Sequence, residues 1–458
     1  MSDRYAVVLA AGQGTRMKSN VHKVLHSVCG KPMLCHVMDQ MASIGFTEKV
    51  VVVGRQAAAV ERCVGKAATC VYQKEQLGTA HAVMQASGRL ADRAGTTVVL
   101  YGDTPLVSHV TIQKLIDFRQ KEKTAAAVLS AVTSQPAGYG RVVRATDGSL
   151  MRIVEDKDAA PAEKAIDEIN TGIYCFDNEL LFRYLRKVDN HNAQGEYYLP
   201  DVLALLVGDG YSVSVCQTPD FEETVGVNDR IQLAAAERYM RKRINREHME
   251  NGVTLIDPNT TYIAADCKIG MDTIIKPGTV IEGNTVIGNG CIIGPYSHIM
   301  DCRIGEGTVV EQSVLEKSVI ADNVQIGPFA HLRPQSSVLS RAKIGNFVEV
   351  KKSEIGRDSK ASHLTYIGDA TIGSDVNMGC GTITVNYDGV NKLKTTIGDG
   401  AFIGCNANLV APVTIGKGAY VAAGSTITQS VNEDALAIAR SRQTNKEGYA
   451  QKLPYRNH

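Results

Sequence analysis

Residues 7–17 read VVLAAGQGTRM, an apolar run that turns into a glycine-rich loop. Glycine lets a backbone turn tightly and approach a ligand closely, so the loop can present N–H groups, Thr15 and Arg16 to phosphate oxygens. The third glycine of a dinucleotide-binding fingerprint is missing, because residue 17 is methionine, and the chain has no Gly-x-x-x-x-Gly-Lys-Ser/Thr sequence. The stretch therefore predicts a phosphate-binding loop of neither the dinucleotide nor the Walker type.

Strand-like and helix-like segments alternate from this loop to about residue 228. The expected strands are short and apolar: Tyr5–Ala11, Lys49–Val53, Thr97–Tyr101, Ala125–Val132 and Ile173–Phe176. Such alternation is typical of an α/β domain with a mostly parallel sheet. Residues 229–251 contain no glycine or proline and are rich in charge toward their end, which predicts one long connecting helix.

After residue 252 an aliphatic residue recurs at every sixth position, which predicts a hexapeptide-repeat β-solenoid. Glycine often follows the aliphatic residue and gives the chain freedom to turn a corner. The register breaks between residues 350 and 397, and insertions in solenoids collect on the binding face, so the loop of residues 377–394 is a functional candidate. The aliphatic positions are Ile269, Ile275, Ile281, Ile287, Ile293, Ile299, Val314, Ile320, Ile326, Leu332, Val338, Ile344, Val350, Ile397, Ile403, Leu409, Ile415, Val421 and Ile427.

Composition narrows the classes of partner. The 458 residues suggest two or three domains, and 49 Lys and Arg against 48 Asp and Glu give no net field for nucleic acid or an acidic membrane. The eleven cysteines are odd in number and form no Cys-x-x-Cys, unlike a disulfide framework or a zinc site. No stretch approaches the roughly 18 apolar residues of a membrane span. We therefore expect a cytoplasmic protein that acts on small molecules, without nucleic acid and without membrane insertion.

Two groups of motifs resemble those of known enzymes. LAAGQGTRM at 9–17, KVLH at 23–26 and GKPM at 30–33 resemble sugar-phosphate nucleotidyltransferases. The repeat half adds HLRP at 331–334, NFVEVK at 346–351, HLTYIGD at 363–369 and NYDG at 386–389. Together they resemble, over nearly the whole chain, the bacterial bifunctional N-acetylglucosamine-1-phosphate uridylyltransferases/glucosamine-1-phosphate N-acetyltransferases.

That resemblance implies a fold and a pair of reactions. Residues 1–228 would form a Rossmann-like uridylyltransferase domain, 229–251 a linker helix, and 252–458 a left-handed parallel β-helix with a C-terminal tail, assembled as a homotrimer. Acetyl-CoA would acetylate glucosamine-1-phosphate, and UTP would then give UDP-N-acetylglucosamine and pyrophosphate, supplying peptidoglycan and other envelope polymers. Two alternatives stay open: a monofunctional sugar-1-phosphate nucleotidyltransferase with a regulatory or oligomerising solenoid, and a solenoid that is only a scaffold.

For uridylyl transfer the resemblance implies four groups of residues. Arg16 and Lys23 would counter the triphosphate charge, and Asp103 and Asn228 would hold Mg²⁺, which prefers oxygen ligands. Without that context, Asp103 could instead be a turn or helix-capping residue. Position 22, often proline in relatives, is His22 here. The full set is Leu9, Ala10, Ala11 and Gly12 for the nucleotide, Arg16, Lys23, Asp103 and Asn228 for phosphates and metal, Gln73, Gly78 and Thr79 for uracil, and Gly140, Glu155 and Asn170 for the N-acetylated sugar.

For acetyl transfer the resemblance singles out one base. A sugar amine must be neutral to attack a thioester, and histidine titrates near neutrality, so His363 would be the catalytic base. Arg333 and Lys351 would bind the sugar phosphate, and Tyr366 and Asn377 would orient the ring; alone, these charges could equally be a solvated solenoid face. Acetyl-CoA would lie in a groove formed with neighbouring chains and contact Cys380, Asn386, Tyr387, Cys405, Ala423 and Arg440.

Overall fold

The computed structural model describes residues 3–454, which divide into two compact units with the boundary between Arg241 and Lys242. The division falls inside a helix of 21 residues, Arg230–Glu250. The domain limits expected from the sequence, at residues 228 and 251, therefore stay a prediction. Among the residues described, no helix is long and apolar enough to cross a membrane.

The first unit is a sheet flanked by helices. Its strands are β1 Arg4–Ala10, β2 Ser27–Val28, β3 Lys31–Pro32, β4 Glu48–Val53, β5 Thr69–Tyr72, β6 Thr96–Tyr101, β7 Ala126–Val132, β8 Gly140–Arg144, β9 Leu150–Val154, β10 Glu168–Asp177 and β11 Val213–Gln217. Its helices are α1 Met33–Ala42, α2 Ala57–Val64, α3 Thr79–Met84, α4 Ser87–Leu90, α5 His109–Glu122, α6 Pro161–Lys164, α7 Asn178–Leu185 and α8 Pro200–Gly208, and the first part of α9 Arg230–Glu250 also belongs to it. Short 3₁₀ turns cover Thr15–Met17, Lys23–Leu25 and Phe221–Thr224.

The main sheet has the order β11-β7-β10-β6-β1-β4-β5, and the hairpin of β8 and β9 is attached to β10. Its pairs are parallel except those made by β10 and within the hairpin, which confirms the mostly parallel sheet. Alternate residues of the central strands are buried on opposite faces, as with Val7 and Val8, so both faces are covered. The carboxyl ends of β1, β4 and β6 consequently meet at one edge, where ligands bind in open α/β sheets.

The second unit is a parallel β-helix of three sheets. The first face comprises Thr254–Leu255, Ile274–Ile275, Ile292–Ile293, Val309–Val310, Gln325–Ile326, Lys343–Asn346, Lys360–His363, Asn377–Met378, Phe402–Ile403, Tyr420–Val421 and Leu436–Ala437. The second comprises Tyr262–Ile263, Val280–Glu282, His298–Met300, Val314–Glu316, His331–Leu332, Glu349–Lys351, Tyr366–Gly368, Ile383–Val385, Asn408–Val410 and Thr426–Ile427. The third comprises Lys268–Ile269, Val286–Ile287, Arg303–Ile304, Val319–Ile320, Ser337–Val338, Glu354–Ile355, Ala370–Ile372, Thr395–Ile397 and Val413–Ile415. A 3₁₀ turn, Tyr449–Lys452, follows.

The repeat places most of the predicted aliphatic residues inside the prism, with one error. Val314 is 38% exposed, whereas its neighbour Leu315 is fully buried, so the prediction for Val314 was wrong. Several sides of the prism are five residues long rather than six, as between the buried Ile299 and Ile304. A side one residue shorter moves every later inward position back by one, which a strict six-residue count misses.

The interruption after residue 350 is smaller than the sequence predicts. Asn377–Met378 and Ile383–Val385 remain strands of the first and second faces, so the predicted loop of 377–394 is too long. The chain leaves the coil only over residues 386–394, where Tyr387 and Lys392 form an isolated antiparallel bridge. The strand Thr395–Ile397 then resumes the third face.

Candidate active sites

A cavity of about 330 Å³ lies at the carboxyl edge of the parallel sheet in the first unit. Strand β1 contributes its last residues and the loop that follows, and β6 contributes the residues at and just beyond its end. Ten predicted uridylyltransferase residues line the cavity: Leu9, Ala10, Ala11, Gly12, Lys23, Gln73, Gly78, Thr79, Asp103 and Asn228. Five further lining residues were not predicted: Val24, Gln76, Ala82, Tyr101 and Glu196.

Two oxygen ligands converge on one cationic group in this cavity. The Lys23 ammonium donates a short hydrogen bond to the Asp103 carboxylate and a second, of 3.1 Å, to Asn228 Oδ1. The side chains of Lys23 and Asp103 are each only 13% exposed, so water screens the pair weakly. Gln232 accepts from the Asn228 backbone N–H at 2.7 Å and holds this residue at the start of α9. A carboxylate oxygen and an amide oxygen facing one cation are the donor chemistry that Mg²⁺ accepts.

The turn predicted to read uracil is fixed from both sides. Gln73 is 3% exposed, and its amide nitrogen donates to the Gly78 carbonyl at 3.3 Å. Gly78 has φ of +114°, and a Cβ there would lie 2.5 Å from the Tyr197 carbonyl oxygen, so only glycine fits. The Thr79 hydroxyl accepts from the Leu199 N–H at 2.9 Å. The turn is therefore rigid where it faces the cavity.

The three residues predicted to hold the sugar are neighbours. Gly140 and Asn170 are paired across β8 and β10, and a Cβ on Gly140 would lie 3.4 Å from Glu155 Oε1. Burial, with nearby carboxylates including that of Asp158, raises the pKa of Glu155. The Glu155 charge adds to burial in raising the pKa of Tyr101, which lines the cavity. These three predicted sugar-binding residues thus lie together near the nucleotide cavity but do not line it.

Two residues of the loop, Arg16 and His22, are not among those that line the cavity. Arg16 is exposed in the 3₁₀ turn Thr15–Met17 and does not line the cavity. His22 is 6% exposed, and burial together with the Lys23 charge lowers its pKa, so a neutral ring packs at the base of the loop.

In the second unit His363 has a partner on the preceding coil. The two residues are in register on the first face, and His363 Nδ1 lies 2.6 Å from Asn346 Oδ1. An amide oxygen only accepts hydrogen bonds, so Nδ1 carries the proton and Nε2 keeps a free lone pair. The Thr365 hydroxyl donates to the His363 carbonyl at 2.7 Å and fixes the corner that follows. The histidine is thereby held in the tautomer that can accept a proton at Nε2.

Cationic residues lie around the corner on the second face. The Arg333 N–H donates to the Val350 carbonyl, which sets Arg333 and Lys351 side by side on neighbouring coils. Arg333 Nη1 also donates to Glu349 Oε1 at 2.9 Å. Tyr366, one coil further along the chain, pairs with Glu349. Asn377, in contrast, lies on the first face, paired with Lys360 of the strand that carries His363.

Two of the predicted acetyl-CoA residues, Cys380 and Cys405, stack in one column with His363. Ala361 pairs with Met378, and Met378 pairs with Ile403. Two residues further along each coil, His363, Cys380 and Cys405 therefore occupy the same position of successive coils. The Asn406 N–H donates to the Cys380 carbonyl, and the Gly424 N–H to that of Cys405, both at 2.8 Å.

The column continues toward the end of the β-helix. Counting on from the pair Ile403 with Val421 places Ala423 beyond Cys405. Arg440 follows, since a Cβ on Gly424 would lie 4.0 Å from Arg440 Cδ. The structure thus brings four of the six predicted acetyl-CoA residues to one edge.

The other two predicted acetyl-CoA residues belong to the inserted loop. Asn386 donates a short hydrogen bond to the Asp369 carboxylate, and the Tyr387 hydroxyl donates to the Gly389 carbonyl. The Lys392 ammonium lies 3.9 Å from the centre of the Tyr387 ring. These contacts give the insertion a fixed shape beside the coil.

Three family models match segments of the chain, and curated proteins match nearly its whole length. Residues 6–166 match the MobA-like NTP transferase domain, residues 262–295 the hexapeptide repeat of succinyl-transferase, and residues 394–429 the bacterial transferase hexapeptide family. Bifunctional protein GlmU of Geobacillus sp. is 58% identical over 453 residues, 99% of each chain. The GlmU proteins of Halalkalibacterium halodurans and Bacillus subtilis are 57% and 55% identical over 99% of each chain.

The chain belongs to the GlmU family. Membership confirms the resemblance seen in the sequence and the predicted fold, an NTP transferase domain followed by a left-handed β-helix of hexapeptide repeats. The protein is a bifunctional enzyme with uridylyltransferase and glucosamine-1-phosphate N-acetyltransferase activities, which act on nucleotide, sugar phosphate and acetyl-CoA. A monofunctional nucleotidyltransferase with an accessory solenoid is not favoured.

Besides the other unpredicted lining residues of the cavity, three residues beside the predicted sites were not singled out from the sequence: Asn346, Glu349 and Tyr101. Asn346 and Glu349 both lie in the NFVEVK motif, but only its lysine was given a role. A signal existed for Asn346, which lies 17 residues before His363 and so about one coil away. Tyr101 ends β6 next to Gly102, and its place at a strand end was the available signal.

Proposed function

We propose that the cavity of the first unit binds UTP and N-acetylglucosamine-1-phosphate and carries out uridylyl transfer. The loop after β1 presents backbone N–H groups, and Lys23 places a positive charge beside the phosphates. Gly140, Glu155 and Asn170 orient the sugar so that its phosphate approaches the α-phosphorus in line. The incoming phosphate is itself the nucleophile, so positioning and charge neutralisation suffice and no covalent enzyme intermediate is needed.

Asp103 and Asn228 are the proposed Mg²⁺ ligands. Their oxygens already face one cationic group, the Lys23 ammonium, which supports the assignment. Among the residues described, no cluster of three or more Asp, Glu, His or Cys side chains could hold a metal alone. A two-ligand site suits Mg²⁺, which keeps several waters and binds substrate phosphates. When bound, it would neutralise charge on the transferred phosphate and on the departing pyrophosphate.

In the second unit we propose His363 as the base for acetyl transfer. Its Nε2 takes a proton from the amine of glucosamine-1-phosphate as the nitrogen attacks the thioester carbonyl of acetyl-CoA. Arg333 and Lys351 bind the sugar phosphate, while Tyr366 and Asn377 orient the ring. The single observation that carries this assignment is the 2.6 Å contact with Asn346 Oδ1, which leaves Nε2 as the basic atom.

Acetyl-CoA is proposed to run along the column that begins at His363. Cys380, Cys405 and Ala423 line it, Arg440 lies at its far end, and Asn386 and Tyr387 of the insertion border it. This column is open on a single chain, so we further propose that the enzyme is a homotrimer in which neighbouring chains complete the groove. Sedimentation velocity tests the trimer, and a monomer that retains acetyl transfer would refute it.

One assay set tests both activities. Glucosamine-1-phosphate, acetyl-CoA, UTP and Mg²⁺ are supplied together and each is then omitted in turn. Without UTP we expect N-acetylglucosamine-1-phosphate to accumulate, and without acetyl-CoA no nucleotide sugar should form. Omission of Mg²⁺ should stop uridylyl transfer alone.

The odd cysteine count without a Cys-x-x-Cys supports a reducing cytoplasm as the site of both reactions.

Replacement of the base separates the sites. We expect His363→Ala to lose acetylation while retaining uridylyl transfer from pre-acetylated substrate. Lys343→Ala, at the exposed start of the strand that carries Asn346, is the matched control and should keep both activities. Retained acetylation in His363→Ala would refute the base assignment.

A further inference from the structure

Strand β10 carries a bulge beside the proposed sugar site. Asn170 pairs with Ser130 of β7, and Tyr174 pairs with Val128 of the same strand. The two β10 residues are four apart in sequence, whereas their partners are two apart, so β10 holds two extra residues between them. Four residues of a regular strand span about 13 Å. The bulge shortens this separation to that of two residues, about 7 Å, and both side chains stay on one face of the sheet.

The bulge is fixed by contacts of its own residues. The Thr171 hydroxyl donates to the Leu129 carbonyl of β7 at 2.7 Å and accepts from the Ile173 N–H at 3.3 Å. Gly172 has φ of +82°, and a Cβ there would lie 2.8 Å from Cε2 of Tyr101, which lines the nucleotide cavity. The bulge therefore packs against a residue of the cavity and cannot shift freely.

Within the bulge the amide of Asn170 is held at both of its polar atoms. Its Oδ1 accepts from the Gly172 N–H at 3.0 Å, and its Nδ2 donates to the Tyr174 hydroxyl at 2.7 Å. A backbone N–H can only donate, so the amide oxygen faces Gly172 and the amide nitrogen faces Tyr174. The amide nitrogen carries two hydrogens, and Tyr174 takes one of them. The second hydrogen is left for another acceptor.

Tyr174 offers this amide a neutral, buried hydroxyl. Its side chain is 1% exposed, and that of Asn170 is 7% exposed. Burial, together with the nearby Tyr101 and Glu155, raises the pKa of Tyr174, so the hydroxyl stays protonated at neutral pH. Removal of the hydroxyl would leave a buried amide hydrogen without its acceptor, and the amide could then rotate away from the orientation that the bulge imposes.

We propose that Tyr174 is a positioning residue for sugar binding in uridylyl transfer. Its hydroxyl holds the Asn170 amide so that the second Nδ2 hydrogen donates to an oxygen of N-acetylglucosamine-1-phosphate. This role rests on the proposed contact between Asn170 and the sugar. Neither Asn170 nor Tyr174 is among the residues that line the nucleotide cavity, so loss of the hydroxyl should weaken sugar binding and leave UTP binding unchanged.

The test is a double-mutant cycle in the full-length enzyme. Uridylyl transfer to N-acetylglucosamine-1-phosphate is measured for the wild type, Tyr174→Phe, Asn170→Ala and the double variant. We expect Tyr174→Phe to raise the KM for the sugar phosphate roughly twofold to twelvefold, the net value of one hydrogen bond between neutral groups, with the KM for UTP unchanged. In the Asn170→Ala background, Tyr174→Phe should cause no further rise, because no amide is left to hold.

Tyr5→Phe is the matched control. Tyr5 is also buried in this unit, and its hydroxyl donates to the Ala94 carbonyl at 3.0 Å. This variant should keep both KM values, and the denaturation midpoint of Tyr174→Phe checks that it is folded.

The outcomes separate this role from the proposed sugar site. An unchanged sugar KM in Asn170→Ala would refute the sugar site itself and the role of Tyr174 with it. If Asn170→Ala weakens sugar binding and Tyr174→Phe does not, only the role of Tyr174 is overturned. The same rise from Tyr174→Phe in both backgrounds would also overturn it, because the hydroxyl would then act independently of the Asn170 amide.

Discussion

Replacing Asn346 by alanine tests whether His363, the proposed acetyltransferase base, is oriented by its neighbouring coil. The substitution removes the oxygen that accepts from His363 Nδ1 at 2.6 Å. His363 remains, but its ring can rotate, and the proton can move to Nε2, where it blocks proton acceptance. We therefore expect kcat for acetyl transfer to fall while the KM for acetyl-CoA changes little.

The magnitude follows from the exposure of the pair. A hydrogen bond between neutral groups contributes about 0.5–1.5 kcal/mol net, and His363 is exposed, so no buried group is left unsatisfied. At about 1.4 kcal/mol for a factor of ten, the expected loss in kcat is roughly twofold to twelvefold. Asn346→Asp keeps an acceptor and adds a charge that favours the imidazolium. Its pH–rate profile should therefore lose activity on the acid side at a higher pH than the wild type.

The assay is acetyl-CoA-dependent acetylation of glucosamine-1-phosphate, measured by thiol release between pH 5.5 and 9. Lys343→Ala serves as the control, and uridylyl transfer from pre-acetylated substrate confirms that each variant is folded. A change in KM alone, with kcat and the pH profile of both Asn346 variants equal to the wild type, would show that Asn346 does not position the base.

Four further outcomes follow from the contacts described. Asp103→Asn should reduce uridylyl transfer at least tenfold, partly restored by excess Mg²⁺, with acetyl transfer unchanged. Gly140→Ala should raise the KM for N-acetylglucosamine-1-phosphate more than that for UTP, because its Cβ would lie 3.3 Å from Ile153 Cγ2 and beside Glu155 Oε1, so neighbours of the proposed sugar site must shift slightly. N-ethylmaleimide should modify the exposed Cys405 and block acetyl transfer, and acetyl-CoA should protect it. Although burial opposes the shift, the Arg144 guanidinium lowers the pKa of Glu168. Stability from this pair is present above the unfolded pKa of about 4.3 and disappears as pH falls through the lower folded value, so Glu168→Gln should show a shallower acid-side decline in denaturation midpoint.

The sequence predicts this fold well where a regular spacing determines burial. The expected strands of the first unit occur within a few residues of their predicted limits, because apolar residues that are buried on both faces leave a continuous signal. The six-residue spacing likewise finds most inward positions of the β-helix. It fails at Val314, because five-residue sides change the count without changing the apolar character of the residues.

Contacts between outward-facing side chains of neighbouring coils are harder to predict than the burial of inward-facing residues, because these contacts depend on the length of each coil. The buried residues Ile344 and Ala361 are in register 17 residues apart, so this coil is one residue short of three hexapeptides. A count of eighteen back from His363 therefore reaches Gly345 and misses Asn346. Contacts made by insertions, such as that of Asn386 with Asp369, have no periodic signal at all.

The short coil also has a chemical consequence. Gly345 has no side chain that could accept a hydrogen bond, and a Cβ there would collide with the Ser362 backbone, so this position must stay glycine. With an eighteen-residue coil that glycine would face His363, whose Nδ1 would then have no amide oxygen beside it. Removing one residue from the coil brings Asn346 into register instead. The irregularity that defeats a strict repeat count thus gives His363, the proposed base, its hydrogen-bond partner.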